Sequence, residues 1–497
     1  MNTKLLKQKI LDLAIRGKLT QQLKSDGTAK DLLTQISDER RKMRDERKGT
    51  RSKKSGVILS EAQSAKSKDL GQIIPLDKSE APFEIPANWE WVRLGNLCKA
   101  SSGKTPSTSQ KEFWNGNVLW VTSKDVKQKY IDSTQICLSD LGASSMQLYP
   151  PKTMIIVGRS GILRHSLPVA ILKKSATVNQ DLKALVFKDN RIVEFIYAVI
   201  KGMEQHLLHV YKKAGTTVDN LNFDLFLTAP IPLPPLAEQQ RIVAKIEEAF
   251  AEIDAIEKNK ELLKTHIKQT RQKILDLAIH GKLVPQNKSD EPAIVLLERI
   301  SRDNPHYEKL TDVPFEIPDS WEWVKLGDVA YIASGSTPSK EAFVDKGVPY
   351  LKMYNLRNQQ IDFEYKPQYI KREVHEGKLS RSKAKPGDVI MNIVGPPLGK
   401  VALVPESLPE CNFNQAAVLI RAHYSSNLTN QYIRYFLLQM DEINAVNTKG
   451  TAGQENISLT QTQKMRFPLP PLAEQKRIVN KIEEIFASLD EISRHLD

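Results

Sequence analysis

The longest stretch of helical periodicity in the chain is Leu236–His280. It contains no proline or glycine, Pro234 and Pro235 precede it, and Gly281 follows it. Its apolar residues recur at the three- and four-residue spacing of an amphipathic helix, and the flanking residues are typical of helix ends. A straight helix of this length spans about 65 Å at 1.5 Å per residue. A single apolar stripe on so long a helix needs a partner, which predicts an antiparallel coiled coil.

The two ends of the chain are predicted to supply that partner, because the helix sequence is written twice. Residues 232–254 (PLPPLAEQQRIVAKIEEAFAEID) match residues 468–490 (PLPPLAEQKRIVNKIEEIFASLD). Residues 8–19 (QKILDLAIRGKL) match residues 272–283 (QKILDLAIHGKL). The C-terminal segment therefore repeats the first part of the long helix, and the N-terminal segment repeats its last part.

The spacing of the repeated motifs makes the repeat circular and locates an insertion. PFEIP recurs after 232 residues, whereas QKILDLAI recurs after 264 residues. The first copy therefore carries 32 additional residues between Ser37 and Pro82, which indicate a helix tail and a mobile linker. The order helix, domain, helix, domain forms a pseudo-twofold circular repeat, in which we expect Met1 and Asp497 to lie near each other.

Two segments of mixed pattern lie between the helical blocks and predict α/β (α+β) domains separated by the coiled-coil helices. Their β-rich runs are Val118–Thr122, Thr153–Val157, Val389–Val394 and Ala416–Ile420, and their amphipathic helical stretches are Ile192–His209 and Asn430–Val446. The predicted division is an N-terminal helical region (1–48), a basic mobile linker (49–81), the first domain (82–231), a central region with the long helix (232–310), the second domain (311–467) and a C-terminal helix (468–497).

The net charge of +13 is concentrated in three stretches. Arg40–Lys54 and Lys99–Lys174 each carry +7, and Tyr331–Val404 carries +5. A single basic stretch is ordinarily solvated surface, but basic interiors in both domains favour two surfaces for a nucleic acid. The interiors, residues 108–212 and 340–449, align only at scattered points, which predicts two readers of different targets.

Other protein classes are excluded by composition. No run of eighteen apolar residues occurs, so no membrane span is expected. The three cysteines, Cys98, Cys137 and Cys411, are scattered singly, which excludes a disulfide framework and is typical of the cytoplasm. The sequence contains no Asn/Asp-Pro-Pro-aromatic motif for amino methylation and no glycine-rich cofactor loop.

Repeated short motifs each allow two interpretations. Gly103-Lys104-Thr105 resembles the end of a phosphate-binding loop, but Cys98 replaces the required glycine, so a tight turn is favoured. The segment Gly215–Leu221 parallels Gly450–Ile457, and either segment is a DNA contact, a partner contact or a structural turn.

The paired tryptophans of the WEW motifs, Trp89 with Trp91 and Trp321 with Trp323, would stack on bases or pack in the core. The core is favoured because these residues belong to the shared frame.

The repeated motifs together resemble the specificity (S) subunit of type I restriction-modification enzymes. The resemblance rests on the PLPPLAEQ helix starts, the WEWV-(R/K)-LG segments and the SG-x-TPS turns, and it covers essentially the whole chain. It implies that the chain is a non-catalytic cytoplasmic protein of defence against foreign DNA. Each target-recognition domain would then read one half of an asymmetric, bipartite site in double-stranded DNA.

The resemblance also implies partners and cofactors. Two modification subunits carrying S-adenosylmethionine would dock on the conserved helices and methylate adenine, and restriction subunits using ATP and Mg²⁺ would join them. Because an adenine amine is inaccessible within the duplex, base flipping by the partner is expected.

Candidate site residues follow from these patterns. The DNA-binding candidates, chosen from basic, divergent, loop-like stretches, are Lys104, Lys124, Arg159, Arg164, Lys352, Arg357, Asn392 and Lys400. The docking candidates, chosen because both copies of the helix start are nearly identical, are Glu238, Gln239, Arg241, Glu474, Gln475 and Arg477. Helix capping and packing within the chain would explain the same identity.

Three other functions are compatible with parts of the sequence. The chain would be an enzyme itself, a stand-alone bipartite DNA-binding regulator, or a coiled-coil scaffold. The missing cofactor motifs disfavour the first, and the basic domain interiors disfavour the last.

Overall fold

The structure is a computed structural model that describes residues 2–38, 76, 80–215, 218–301, 310–395, 397–424, 426–440, 444 and 456–496. The chain divides into two compact units, Met1–Lys258 and Asn259–Asp497. Both units mix helices with sheets, which confirms the predicted fold class. Met1, Asp497 and almost all of the predicted linker 49–81 lie outside the described residues.

The helices follow the predicted order of helical block and domain. Those that begin in the first unit are α1 (Thr3–Ile15), α2 (residues 29–38), α3 (Leu94–Leu97), α4 (Asp140–Ser144), α5 (Val193–Gly202), α6 (Glu204–Tyr211), α7 (Phe223–Phe226) and α8 (Leu236–Ile279). Those of the second unit are α9 (Ala293–Ser301), α10 (Leu326–Val329), α11 (Arg372–Glu376), α12 (Ser426–Gln439), α13 (Leu459–Gln463) and α14 (Leu472–Leu496).

The strands are short and lie between the helical blocks. The first unit contains β1 (Glu90–Arg93), β2 (Cys98–Ser102), β3 (Trp114–Val121), β4 (Tyr130–Ile131), β5 (Cys137–Leu138), β6 (Met154–Val157), β7 (Arg159–Ser160), β8 (Val169–Leu172), β9 (Ala176–Val178), β10 (Leu182–Phe187), β11 (Lys212–Lys213), β12 (Asp219–Leu221) and β13 (Pro230–Leu233). The second contains β14 (Glu322–Lys325), β15 (Ala330–Ser334), β16 (Phe343–Val344), β17 (Val348–Leu351), β18 (Leu356–Arg357), β19 (Gln360–Ile361), β20 (Tyr369–Ile370), β21 (Val389–Asn392), β22 (Val401–Leu403), β23 (Asn412–Phe413), β24 (Ala417–Ala422) and β25 (Arg466–Leu469).

The two units share most of one sheet topology, although β4 of the first main sheet has no counterpart in the described part of the second. The first has a β2-β10-β6-β8-β4 sheet, and the second has the corresponding β15-β24-β21-β22 sheet. Beside it, β3 pairs in parallel with β9, and β17 pairs in parallel with β23. The first and last strands of each domain pair as β1-β13 and β14-β25. The sequence duplication is therefore a duplication of the fold.

The long helix predicted from periodicity is confirmed, because α8 runs for 44 residues from Leu236 to Ile279. In the first unit α1 lies antiparallel to α8, since the Thr3 hydroxyl donates to Glu257 and Lys7 forms an ion pair with Asp254. Their apolar faces share one core, which includes the buried residues Leu11, Ala14, Ile15, Ile242 and Ile246. The coiled-coil geometry itself stays a prediction.

The far end of α8 has the same type of partner in the second unit. Ile274 and Ala278 share a core with Ile478 and Ile482 of α14. The guanidinium of Arg271 donates to Asp490 at 2.6 Å and lies over the Phe486 ring. Within the described parts of the chain, no helix is both long and apolar enough to cross a membrane.

Most predicted elements of the domain interiors are confirmed with shifted ends. The four predicted β-rich runs correspond to β3, β6, β21 and β24. The stretch Ile192–His209 differs, because Met203 separates α5 from α6. Gly202 at that break lies against α1, where a Cβ would be 3.1 Å from the Ile15 side chain. The predicted helix therefore breaks at a place where the domain packs closely against α1.

A buried carboxylate at the start of each conserved helix connects that helix to its domain. Glu238 is fully buried and accepts from Trp89 Nε1 at 2.9 Å and from Gln22 Nε2 at 2.6 Å. In the second unit Glu474 accepts from Trp321 Nε1 at 2.9 Å. We call Glu238 with its two donors the first carboxylate cluster, and Glu474 with Trp321 and Gln286 the second.

The two carboxylate clusters explain why the tryptophans are buried. Trp89 and Trp321 are each 3% exposed, which confirms the core interpretation for this pair. Burial raises the pKa of Glu238, and the hydrogen bonds from Trp89 and Gln22 oppose that shift. The pKa of Glu474 is raised in the same way. Each carboxylate also lies in the first turn of its helix, where the helix dipole favours a negative charge.

Replacing Trp89 with Phe removes the donor to Glu238 and keeps an aromatic ring in the core. A buried charge that loses such a hydrogen bond should destabilise the first unit by about 2–3 kcal/mol at pH 7. The loss also raises the pKa of Glu238 further above its ordinary value of 4.5. A raised carboxyl pKa means that stability falls as pH rises above 4.5, so the destabilisation should shrink as pH is lowered toward 4.5. Urea unfolding over a pH series measures it.

The matched control is Trp91→Phe. Trp91 is also buried, and it packs edge-on against Phe83 at 4.9 Å between ring centroids. This variant loses a similar volume but removes no donor from the first carboxylate cluster. Its destabilisation should therefore not vary with pH. Equal pH dependence in both variants would contradict the role assigned to the carboxylate cluster.

Candidate nucleic-acid interface

One edge of the main sheet in each domain brings several polar chain segments together. In the first domain β2 ends at Ser102, which is paired with Lys183 near the start of β10. The end of β6 is at the same edge, because Val157 is paired with Leu182. We call this place the first sheet edge. The second sheet edge is formed in the same way, with Ser334 paired to Val418 and Asn392 paired to Ala417.

The SG-x-TPS motif follows the end of β2 and of β15 at each sheet edge, and residues 103–107 and 335–339 form neither a turn nor a bend, so the tight-turn interpretation is wrong. A Cβ on Gly103 would lie 2.0 Å from the carbonyl oxygen of Val178, and one on Gly335 would lie 2.2 Å from that of Asn414. Only glycine permits so close an approach of two backbones. The next amides then donate across the gap, from Lys104 to Val178 at 3.0 Å and from Ser336 to Phe413 at 3.1 Å.

The DNA-binding candidates of the first domain are all exposed, and two of them share the first sheet edge. Lys104 follows Gly103 at the end of β2, and the Arg159 amide donates to the carbonyl of Asp181 at 3.2 Å. Lys124 follows the end of β3, and Arg164 ends the short 3-10 helix after β7. The structure therefore brings Lys104 and Arg159 to one edge, leaves Lys124 on a loop, and places Arg164 on the 3-10 helix, where its charge helps to lower the pKa of Asp219.

The candidates of the second domain have different environments. Lys352 follows β17, and its ammonium lies over the Phe343 ring at 5.6 Å. Arg357 is exposed on the β18-β19 hairpin, where its guanidinium is 4.1 Å from the centre of the Tyr365 ring.

Asn392 is placed inside the second domain rather than on its surface. Its side chain is 2% exposed, and its amide donates to the carbonyls of Val394 and Pro397 at 3.0 and 2.9 Å. Its oxygen accepts from the half-buried Lys400 amide at 2.5 Å. These bonds hold the loop that carries Lys400, so in this conformation Asn392 presents no group to a base edge.

The docking candidates form contacts within the chain. Glu238, Gln239, Glu474 and Gln475 are at most 1% exposed. Arg241 and Arg477 form 2.6 Å ion pairs with Asp26 and Asp290, respectively. These are the contacts that the packing alternative required, and the docking role of the six residues stays a prediction.

Sequence reasoning missed Lys183 and Lys213 at the first sheet edge. Lys183 is the second residue of β10, a strand that is mostly buried, and its Nζ donates to Ser102 Oγ at 2.7 Å. Lys213 is exposed on β11 and is paired with Asn220 on β12. Register alone brings these lysines to the edge. A position-by-position comparison of the repeats, in which Lys183 corresponds to Val418, would have indicated the first of them.

The acidic groups near this edge are partly neutralised. Asp219 is buried, and its pKa is lowered, chiefly by the hydrogen bond from the Gly215 amide and also by Lys212. Its carboxylate forms an ion pair with the Lys212 ammonium at 3.3 Å. The charge of Lys212 is therefore balanced within the domain. Residues 216, 217 and 450–455 of the repeated Gly-Thr segments lie outside the described residues.

The fold defines the chain as a protein of two homologous α/β domains, each attached to a conserved helix through a buried carboxylate. A family model described as the type I restriction modification DNA specificity domain matches residues 86–265 and 318–496. The chain therefore belongs to this family, as the sequence motifs predicted.

Similar proteins extend the comparison over the whole chain. The type I restriction enzyme EcoAI specificity subunit of Escherichia coli is 24% identical and covers 98% of this chain and 90% of its own length. The EcoR124I/EcoR124II specificity subunit of Escherichia coli is 38% identical over 157 residues, which are 31% of this chain and 39% of that protein.

Solved structures show the same fold. The HsdS subunit from Thermoanaerobacter tengcongensis has 19% identity and a TM-score of 0.53 and covers 84% of this chain and 94% of that chain. A chain from a study of complex assembly and conformational transition of the type I R-M system has a TM-score of 0.55 with the same identity and coverage.

Any side chain at the glycine of the SG-x-TPS motif should destabilise its domain. Gly103→Ala forces apart two backbones, and we expect it to destabilise the first domain by at least about 1–3 kcal/mol. Gly161→Ala is the matched control, because no atom lies within 4 Å of its Cβ position and its φ is not positive. Thermal unfolding of both variants measures the difference. An equal loss at Gly161 would show that the close approach at Gly103 is not the cause.

Proposed function

We propose that this chain is the non-catalytic DNA sequence-specificity subunit of a type I restriction-modification complex. It binds a bipartite, asymmetric site in double-stranded DNA, and each domain reads one half of that site. Two modification subunits bound to the chain methylate adenine with S-adenosylmethionine, and restriction subunits that use ATP and Mg²⁺ complete the complex. The work of the complex is defence against foreign DNA in the cytoplasm.

The observation that carries the proposal is the combination of one frame with two different interiors. Trp89, Glu238 and Gly103 have exact structural counterparts in Trp321, Glu474 and Gly335. The candidate cations within the two frames have no such correspondence. A repeated frame can present two identical surfaces to two identical partners. Divergent interiors then allow two unlike half-sites to be read.

Expression with the modification subunit tests the proposal directly. Mapping of methylated adenines in the host genome should yield one sequence with two defined halves and an undefined gap. The purified chain alone, given S-adenosylmethionine, should methylate nothing, and methylation by the chain alone would contradict its non-catalytic role. Equally tight and specific DNA binding without the modification subunit would favour the stand-alone regulator.

Exchange of one domain interior should change one half-site. Replacing residues 340–449 with the corresponding segment of a relative leaves both carboxylate clusters intact, so the complex should assemble. The mapped sequence should change in one half and keep the other half and the gap. The reciprocal exchange of residues 108–212 serves as the control and should change only the other half. A change in both halves from either exchange would rule out one reader per half-site.

A further inference from the structure

A polar groove lies at the first sheet edge, between the ends of β2 and β10 and the small β11-β12-β7 sheet. Its volume is about 530 Å³, and it is lined by Ser101, Ser102, Lys183, Lys213, Asn220 and Asn222, among others. The Lys183 side chain lies along the wall of the groove, where its Nζ donates to Ser102 Oγ at 2.7 Å and lies 5.2 Å from the centre of the Phe223 ring. We call this feature the lysine groove.

Three strands place a row of polar side chains beside the groove. Asn220 of β12 is paired with Lys213 on one side and with Arg159 on the other. Residues directly opposite each other in neighbouring strands project from the same face of a sheet. Lys213, Asn220 and Arg159 therefore form a row with a cation at each end and an amide in the middle. Both cations are exposed.

The lysine groove and its row carry a net positive charge. Lys183, Lys213 and Arg159 contribute three positive charges, and the exposed Asp224, which also lines the groove, contributes one negative charge. The neighbouring Asp219 is already paired with Lys212. The groove itself is open and is lined by the cations Lys183 and Lys213 and by several hydroxyl and amide groups. These groups suit a phosphodiester, which is an anion with only acceptor oxygens.

The second domain differs at the corresponding positions. Val418 occupies the position of Lys183, because each is paired with the last residue of the neighbouring strand, Ser334 and Ser102. Val394 occupies the position of Arg159, because it is paired with Asn456 as Arg159 is with Asn220. The counterpart of Lys213 lies outside the described residues. Two of the three cations of the first domain are therefore replaced by valine.

We propose that the lysine groove binds the backbone phosphates of the half-site that the first domain reads. The inference rests on the proposed function and deepens it, because the two domains then hold DNA by different means. The first domain contributes a phosphate anchor at its sheet edge, and the second domain has valine at the positions of Lys183 and Arg159. Phosphate contacts set the position and affinity of the protein on DNA without reading the sequence. The anchor should therefore contribute the same affinity for DNA of any base composition.

Salt dependence measures such contacts. Each phosphate neutralised by a lysine releases counterions, and the slope of log K against log salt changes by about 0.9 per contact. Lys183→Gln with Lys213→Gln keeps polar side chains of similar length and removes both charges. The slope for the complex of chain and modification subunits on a duplex carrying the mapped site should become shallower by about 1.8. Fluorescence anisotropy titrations between roughly 50 and 200 mM salt resolve this change.

Three further measurements separate the anchor from a structural effect. Lys213→Gln alone, at an exposed side chain, should reduce the slope by about 0.9. Asp224→Asn should act in the opposite direction and tighten binding, because it removes the negative charge of the groove. The methylated sequence produced by the double variant should be unchanged.

Two results would overturn the inference. One is an unchanged slope in the double variant while the wild-type complex still methylates a bipartite site. The other is a changed base preference in the first half-site, which would make the groove a reader of bases. Absence of any sequence preference in the wild-type complex would instead overturn the proposed function, and the lysine groove with it.

Discussion

The buried carboxylate at the start of each conserved helix is the constraint on which the rest of each unit depends. Glu238 takes donors from residues 149 and 216 positions away, so one side chain joins the helix, the residue before the first strand of the domain and the chain after α1. An ionised carboxylate placed in a core without such donors would be strongly destabilising. All three segments must therefore be in place together. That requirement is a reason within the chain for Trp89 and Glu238 to recur as Trp321 and Glu474 in the second copy.

A frame held at this point leaves the domain interior free to vary. The strand pairings at the sheet edge are made by backbone groups and do not depend on the side chain. Lys183 and Val418 can therefore occupy the same position of one fold. Glycines such as Gly103 and Gly335 are restricted, because backbone atoms lie where a Cβ would be. Loops and strand ends can therefore change their charge and shape while the sheet keeps its register. This separation permits two domains of one chain to recognise different ligands.

The sequence alone predicted the long helix and the fold class, but it did not predict which side chains are buried or brought together, and the reason is physical. Helical periodicity and flanking prolines located α8 to within one residue at its end, because these signals are local. The contact between Trp89 and Glu238 was missed because it joins residues 149 positions apart. Asn392 was chosen as a surface residue, but its amide satisfies the backbone of its own loop. Lys183 was overlooked because its exposure follows from strand register, which sequence patterns leave open.

The location of the charges separates affinity from specificity within the first domain. Ser102, Lys183 and Lys213 belong to strands, whereas Lys124 lies in the loop after β3 and Arg164 ends a short 3-10 helix. Cations on strands are held in position by the sheet, so they suit a ligand whose spacing is the same in every sequence, as DNA phosphates are. Side chains on loops can be re-aimed by insertion or substitution, which suits base edges. Loop changes can thus alter which bases are read while the phosphate anchor keeps its strength.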